Sequence, residues 1–164
     1  MILKAGIGYG NETTMSEKKF KKICKYVAGK NSGKLKKFTG IYHNNFYEAH
    51  IYFFEKDYWV RLNSSYPFIG FLDKKPYESD ANGNGWTDVE PTYVEAKHLA
   101  DQFSPYYRVL TAAELNEPLD FTREGKNIKK LILTQKNELN ESEKYGVAYF
   151  QPRTIGHIVF NHWD

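Results

Sequence analysis

Between residues 35 and 72 the chain reverses too often to build anything but a small antiparallel sheet. The runs 38–42, 46–54, 58–63 and 68–72 are rich in aromatic and β-branched residues, the types that fit a pleated surface. Asn44-Asn45 and Glu55-Lys56-Asp57 read as tight connections, and 64–67 as a longer turn. Such short links leave no room for parallel crossovers, so an antiparallel meander of three or four strands is predicted. The run His50-Ile51-Tyr52-Phe53-Phe54 lacks clean alternation, which predicts cover on both faces of that strand.

A helix precedes the meander. Phe20, Ile23, Cys24 and Val27 recur at i, i+3, i+4 and i+7, Ser16 suits the N-cap, and Gly29 suits the C′ position. Lys18, Lys19, Lys21, Lys22 and Lys25 cover the remaining surface of this helix. After a polar loop at 74–91, Tyr93, Ala96, Leu99, Ala100 and Phe103 predict a second helical face that stops at Ser104-Pro105. Thr111 and Glu114 form a capping-box pair for a brief turn. Residues 106–110, 128–134 and 147–150 read as strands, and Ile155, Ile158, Val159 and His162 as a helical stripe opened by Thr154. The order predicts an α+β fold: one globular domain over 1–164, an antiparallel β-meander packed on an N-terminal helix and one or two further helices. Gly6, Gly8 and Gly10 alternate before a polar run, so 1–14 reads as flexible.

The 164 residues suffice for a real core, and 26% charged residues is an ordinary share for a folded domain. No stretch approaches the roughly 18 apolar residues of a membrane helix, and the N-terminus lacks a signal-peptide pattern. With Cys24 alone, an internal disulfide framework and a cysteine-based zinc site are excluded. A soluble cytoplasmic protein without a cofactor is the expectation. The net charge of +3 conceals a polarity: residues 1–40 hold ten lysines against Glu12 and Glu17, a balance of +8, whereas 41–164 carry −5. Residues 71–120 hold ten acidic and four basic side chains. Such a distribution speaks to partners rather than to fold.

Few residues offer chemistry. Asp80, Asn82, Asn84, Gly85, Trp86 and Asp88 match the first nine positions of an EF-hand calcium loop, but Pro91 replaces the acid at position 12 and Glu90 falls one residue early. A turn with Asn side chains capping their own backbone explains the same letters, so no tight calcium binding and no metal site is expected. The histidines lack metal-site spacing. His43 and His50 flank Glu48 on neighbouring strands, where a hairpin can join an imidazole and a carboxylate as an acid–base pair. Cys24, on an apolar helix face, reads as a buried structural thiol. No nucleophile-elbow, phosphate-loop or dinucleotide fingerprint is present.

Aromatic residues are in excess, with Tyr42, Phe46, Tyr47, Tyr52, Phe54, Tyr58, Trp59, Tyr66 and Phe68 falling close together. One sheet face cannot bury all of them, and the surplus beside Arg61 is of the type enriched at interface centres. The lysine cluster lies apart from these aromatics and no RNP-like motif stands in the chain, which argues against nucleic acid as the partner.

The segment Gln151-Pro152-Arg153-Thr154-Ile155-Gly156-His157-Ile158-Val159-Phe160-Asn161-His162-Trp163-Asp164 resembles the ending of a group of small bacterial proteins. Their tails read Pro-x-Thr-(Ile/Val)-Gly-x-Ile-(Ile/Val)-Phe-Asn-x-Trp-Asp, and many are immunity proteins for polymorphic or secreted toxins. The resemblance implies a bacterial immunity-type protein and transfers no functional residues. Together these features predict a non-enzymatic cytoplasmic protein that neutralises a cognate toxin by occluding its active cleft. Its partner-binding residues are expected at Trp59, Arg61, Trp86, Asp80, Asp88 and Glu90. The alternatives are a small hydrolase using His43, Glu48 and His50, and a nucleic-acid-binding module using the lysine-rich first helix.

Overall fold

Ser16 starts the first helix, α1 (Glu17–Lys30), its hydroxyl accepting the Lys19 N–H at 3.1 Å. The computed structural model describes residues 1, 3–9, 12–79, 86–88, 91–122 and 132–163, with the backbone alone at 78–79 and 86–88. Phe20, Ile23, Cys24, Val27 and Ala28 form the buried face of α1, and the predicted lysines face outwards. Phe20 is wholly buried, which stabilises the fold by about 1.5–3 kcal/mol relative to an exposed ring. The helix runs past Gly29, and Ser32 at φ 55° makes the reversal. Gly33 is the glycine that this turn needs, because a Cβ there would collide with the Tyr52 carbonyl.

The meander follows as β1 (Lys34–Thr39), β2 (Phe46–Phe53), β3 (Lys56–Asn63) and β4 (Phe68–Leu72), all antiparallel neighbours. A fifth strand, β7 (Arg108–Val109), pairs parallel with β4 and closes the order β1-β2-β3-β4-β7. The β2–β3 turn is tighter than the sequence indicated. Phe53 pairs with Lys56, leaving Phe54 and Glu55 as the turn at φ 50° and 59°.

Alternation along the strands sends side chains to two layers. Tyr47, Ala49, Ile51 and Phe53 of β2, with Val60 and Leu62 of β3, pack under α1 and α2 (Lys97–Phe103). The opposite face carries Phe46, Trp59, Phe68 and Leu72. It packs on Tyr93, on Leu115 of α3 (Ala112–Leu115), on Val147 of α4 (Glu141–Phe150) and on Ile158 of α5 (Gly156–Val159). Cover on both faces explains the unbroken burial of residues 46–49. The architecture is α+β.

Four local expectations are corrected. α5 covers only Gly156–Val159 with Ile155 at its N-cap, so Thr154 does not cap it and His162 lies beyond it. Tyr93 and Ala96 are buried but lie before α2, which starts at Lys97. Residues 147–150 belong to α4 rather than to a strand, because Asn140 and Glu143 close a capping box that nucleates a helix. Leu3 and Ile7, within the 1–14 segment read as flexible, are fully buried, and Glu143 accepts the Gly6 and Gly8 N–H groups at 2.7 Å each. Three asparagines complete this docking. The side-chain amides of Asn45 and Asn63 each donate to the carbonyls of Ile7 and Val159, and that of Asn161 donates to Gly8.

Within the polar 74–91 loop, β5 (Tyr77–Ser79) and β6 (Trp86–Asp88) pair antiparallel. A further small pair joins β8 (Phe121–Thr122) to β9 (Ile132–Leu133). Among the described residues, no helix is long and apolar enough to cross a membrane.

Candidate functional site

The β2–β3 register assembles the site. Glu48 lies opposite Arg61 and His50 opposite Trp59, so each pair meets side chain to side chain on the same sheet face. Arg61 Nε donates to Glu48 Oε2 at 2.7 Å, and both residues are buried. The Arg61 guanidinium also covers the Phe46 ring at 4.2 Å and donates to the Tyr93 hydroxyl at 3.2 Å. Tyr77, delivered by β5, donates its hydroxyl to the other Glu48 oxygen. Burial works against the Arg61 charge, yet Tyr93 and Glu48 outweigh it and hold the guanidinium above its ordinary value.

His50 stacks on Trp59, with ring centroids 4.3 Å apart at 17°. Its Nε2 lies 2.9 Å from Asp57 Oδ1, an oxygen that also accepts from Lys36. The Lys36 hydrogen bond chiefly holds the Asp57 carboxyl below the usual carboxylate value; desolvation opposes it and His50 assists. Asp57 thus stays ionised and orients the imidazole.

These side chains line a cleft of about 700 Å³ on the sheet face that α1 leaves uncovered. Phe46 and Trp59 supply an aromatic floor, and Tyr42 is exposed at one side. The exposed Lys37 and Lys75, with His50 and His162, place potential cations on the lining, whereas the single carboxylate there among the described residues, Glu48, is matched by Arg61. Such a surface suits an anionic group carried on an apolar or aromatic body.

The expected residues are distributed unevenly. Trp59 is 9% exposed and Arg61 2%, so Trp59 meets a visitor through the cleft floor and Arg61 stands behind Glu48. Glu48 and His50 share the cleft, but His43 turns away at φ 54° against Tyr42 and lines a separate hollow. Trp86 and Asp88 lie on β6, while Asp80 and Glu90 fall outside the described residues, as does most of the loop that resembles an EF-hand. Among the described residues, no group of three His, Cys, Asp or Glu side chains could hold a metal ion. Cys24 is buried, and desolvation pushes its thiol far above the ordinary value.

Sequence reasoning missed Lys37, Lys75, Tyr77 and His162. The β1–β2 register brings Lys37 to the cleft, residues 75–77 bring Lys75 and Tyr77, and the segment after α5 brings His162, and no local pattern announces that. No family model, curated protein or solved structure matches the chain.

Proposed function

We propose that the chain is a non-enzymatic binding protein of the immunity type, acting in the cytoplasm, which neutralises a cognate bacterial toxin by occluding its active cleft. The observation that carries this reading is the internal engagement of the cleft's acid–base groups. Glu48 is held between Arg61 and Tyr77, and His50 between Asp57 and Trp59, which favours a preorganised docking surface over proton transfer. The tail resemblance and the opposed charges of α1 and the 71–120 stretch support a protein partner. Co-expression with the product of the neighbouring gene is the test. The expected result is a stoichiometric complex and relief of that protein's toxicity. His50→Ala and Lys37→Ala should weaken the complex about thirtyfold if the cleft is the contact. A folded chain that neither binds nor protects overturns the reading.

One observation favours a small hydrolase as the second reading. Asp57 orients an imidazole at the edge of an open cleft, as a general base requires. That reading predicts turnover of simple esters or phosphoesters that His50→Ala abolishes.

A further inference from the structure

A second exposed aromatic surface lies away from the cleft, on α4. Tyr145 and Tyr149, one helical turn apart, are 52% and 67% exposed and stack with centroids 6.2 Å apart at 9°. Phe150, 42% exposed, stacks on Trp163 at 5.7 Å and 3°. Gly146 permits this arrangement, because a Cβ there would stand 2.6 Å from Trp163 Cε3. The rings of Tyr9, Tyr145, Phe150 and Trp163 wall a groove of about 410 Å³. Among the described residues Glu141 is the charged one on its lining, and a neighbouring hollow of about 400 Å³ shares Tyr9 and Glu141, so Glu141 stands where the two meet.

We propose that this groove recognises a guanidinium group, namely an arginine side chain carried by a protein partner. The argument is charge complementarity. Aromatic faces present negative potential, and a cation held against them is attracted by the ring quadrupole. Glu141 adds a full negative charge, with a side chain 79% exposed and a loose contact of 3.7 Å to Lys144. A guanidinium satisfies both features at once, since it stacks flat on a ring, pairs bidentately with a carboxylate and sheds water more readily than an ammonium. An anion would face Glu141. A purely apolar occupant would offer that carboxylate nothing beyond its loose contact with Lys144 and would strip water from it, which is costly. The positive end of α4 does not reverse this balance, because Glu143 already accepts the Asn140 N–H and Glu141 adds its charge to the same first turn. The site is separate from the cleft, so the inference holds whichever reading of the cleft is right.

The experiment is a proton-NMR titration of the full chain with N-acetyl-arginine amide, and with N-acetyl-citrulline amide as the neutral isostere. Arginine amide should shift the Trp163 indole and the Tyr9 and Tyr145 ring resonances, binding at least about fivefold more tightly than citrulline amide. Glu141→Gln, a change at an exposed position, should remove that preference while the native spectrum persists. Equal shifts from both ligands, shifts confined to other residues, or an unchanged preference in Glu141→Gln would each overturn the proposal.

Discussion

Glu143 Oε2 lies 2.7 Å from the backbone nitrogen of Gly8, joining residues 135 positions apart in sequence. The other carboxylate oxygen accepts from Gly6 at 2.7 Å and from Asn140 at 3.0 Å, inside a side chain with no solvent exposure. Glu143→Ala should therefore cost about 3 kcal/mol or more, because it strands buried N–H groups rather than merely removing a bond. Denaturant melts report the loss. Amide exchange at Gly6 and Gly8 should accelerate as well, and a cost below about 1 kcal/mol would mean that the N-terminal segment is not docked by this carboxylate.

The buried pair of Arg61 and Glu48 should behave asymmetrically. Glu48→Ala leaves a guanidinium in the core with the Tyr93 hydroxyl and the Phe46 ring but no counter-charge from Glu48, and should cost about 3–5 kcal/mol. Replacing both partners, as Glu48→Leu with Arg61→Met, should recover much of that stability because no charge remains to be solvated. A double-mutant cycle in thermal or chemical melts checks this, and strict additivity would contradict it.

At the β2–β3 turn, Phe54 and Glu55 both adopt the left-handed conformation that non-glycine residues avoid. Glu55→Gly should raise stability by about 0.5–1 kcal/mol, since relief of the φ 59° strain exceeds the added flexibility of the unfolded chain. A fall in the denaturation midpoint would show that the Glu55 side chain has a stabilising role at the turn.

Alkaline pH should weaken the fold. Burial, aided by nearby Cys24, pushes the Tyr107 phenol up to about 12, while an unfolded tyrosine ionises near about 10. The folded state therefore holds its proton longer than the unfolded state does. This contribution is complete below about pH 10 and declines as pH rises through about 12. Cys24, raised by desolvation, acts in the same direction. Tyr107→Phe should flatten the fall in unfolding free energy measured between about pH 10 and pH 12.

Much of the fold was legible because it is encoded locally. The Phe20, Ile23, Cys24, Val27 face of α1 is a periodic signal that the structure places as the periodicity requires. The antiparallel order of the meander follows the expected one, although β1 runs over Lys34–Thr39 rather than 38–42, its link to β2 covers 40–45, and the β2–β3 turn shrinks to Phe54 and Glu55. α4 was misread because Val147-Ala148-Tyr149-Phe150 has strand-like composition, although the preceding Asn140 and Glu143 carry a helix-start signal strong enough to decide. The cleft was half legible. Trp59, Arg61, Glu48 and His50 stood out as residue types, but their pairing depends on a cross-strand register that no single run of letters contains. Asn45, Asn63 and Asn161 were invisible as a group, since their bonds to Ile7, Gly8 and Val159 span distances of up to 153 residues.

Those asparagines carry a consequence for synthesis. As the chain leaves the ribosome, the apolar layer beneath α1 and α2 is nearly complete once Tyr107 has emerged. Phe46, Trp59, Phe68 and Leu72 on the other face wait for residues 155–160, which Asn45 and Asn63 then lock through Val159. During that interval the nascent protein presents half of its core to water, a surface that chaperones bind and that self-associates readily. Slowed elongation over the stretch between Tyr107 and Ile155 would lengthen this exposure, whereas cooler growth weakens the hydrophobic attraction that drives aggregation.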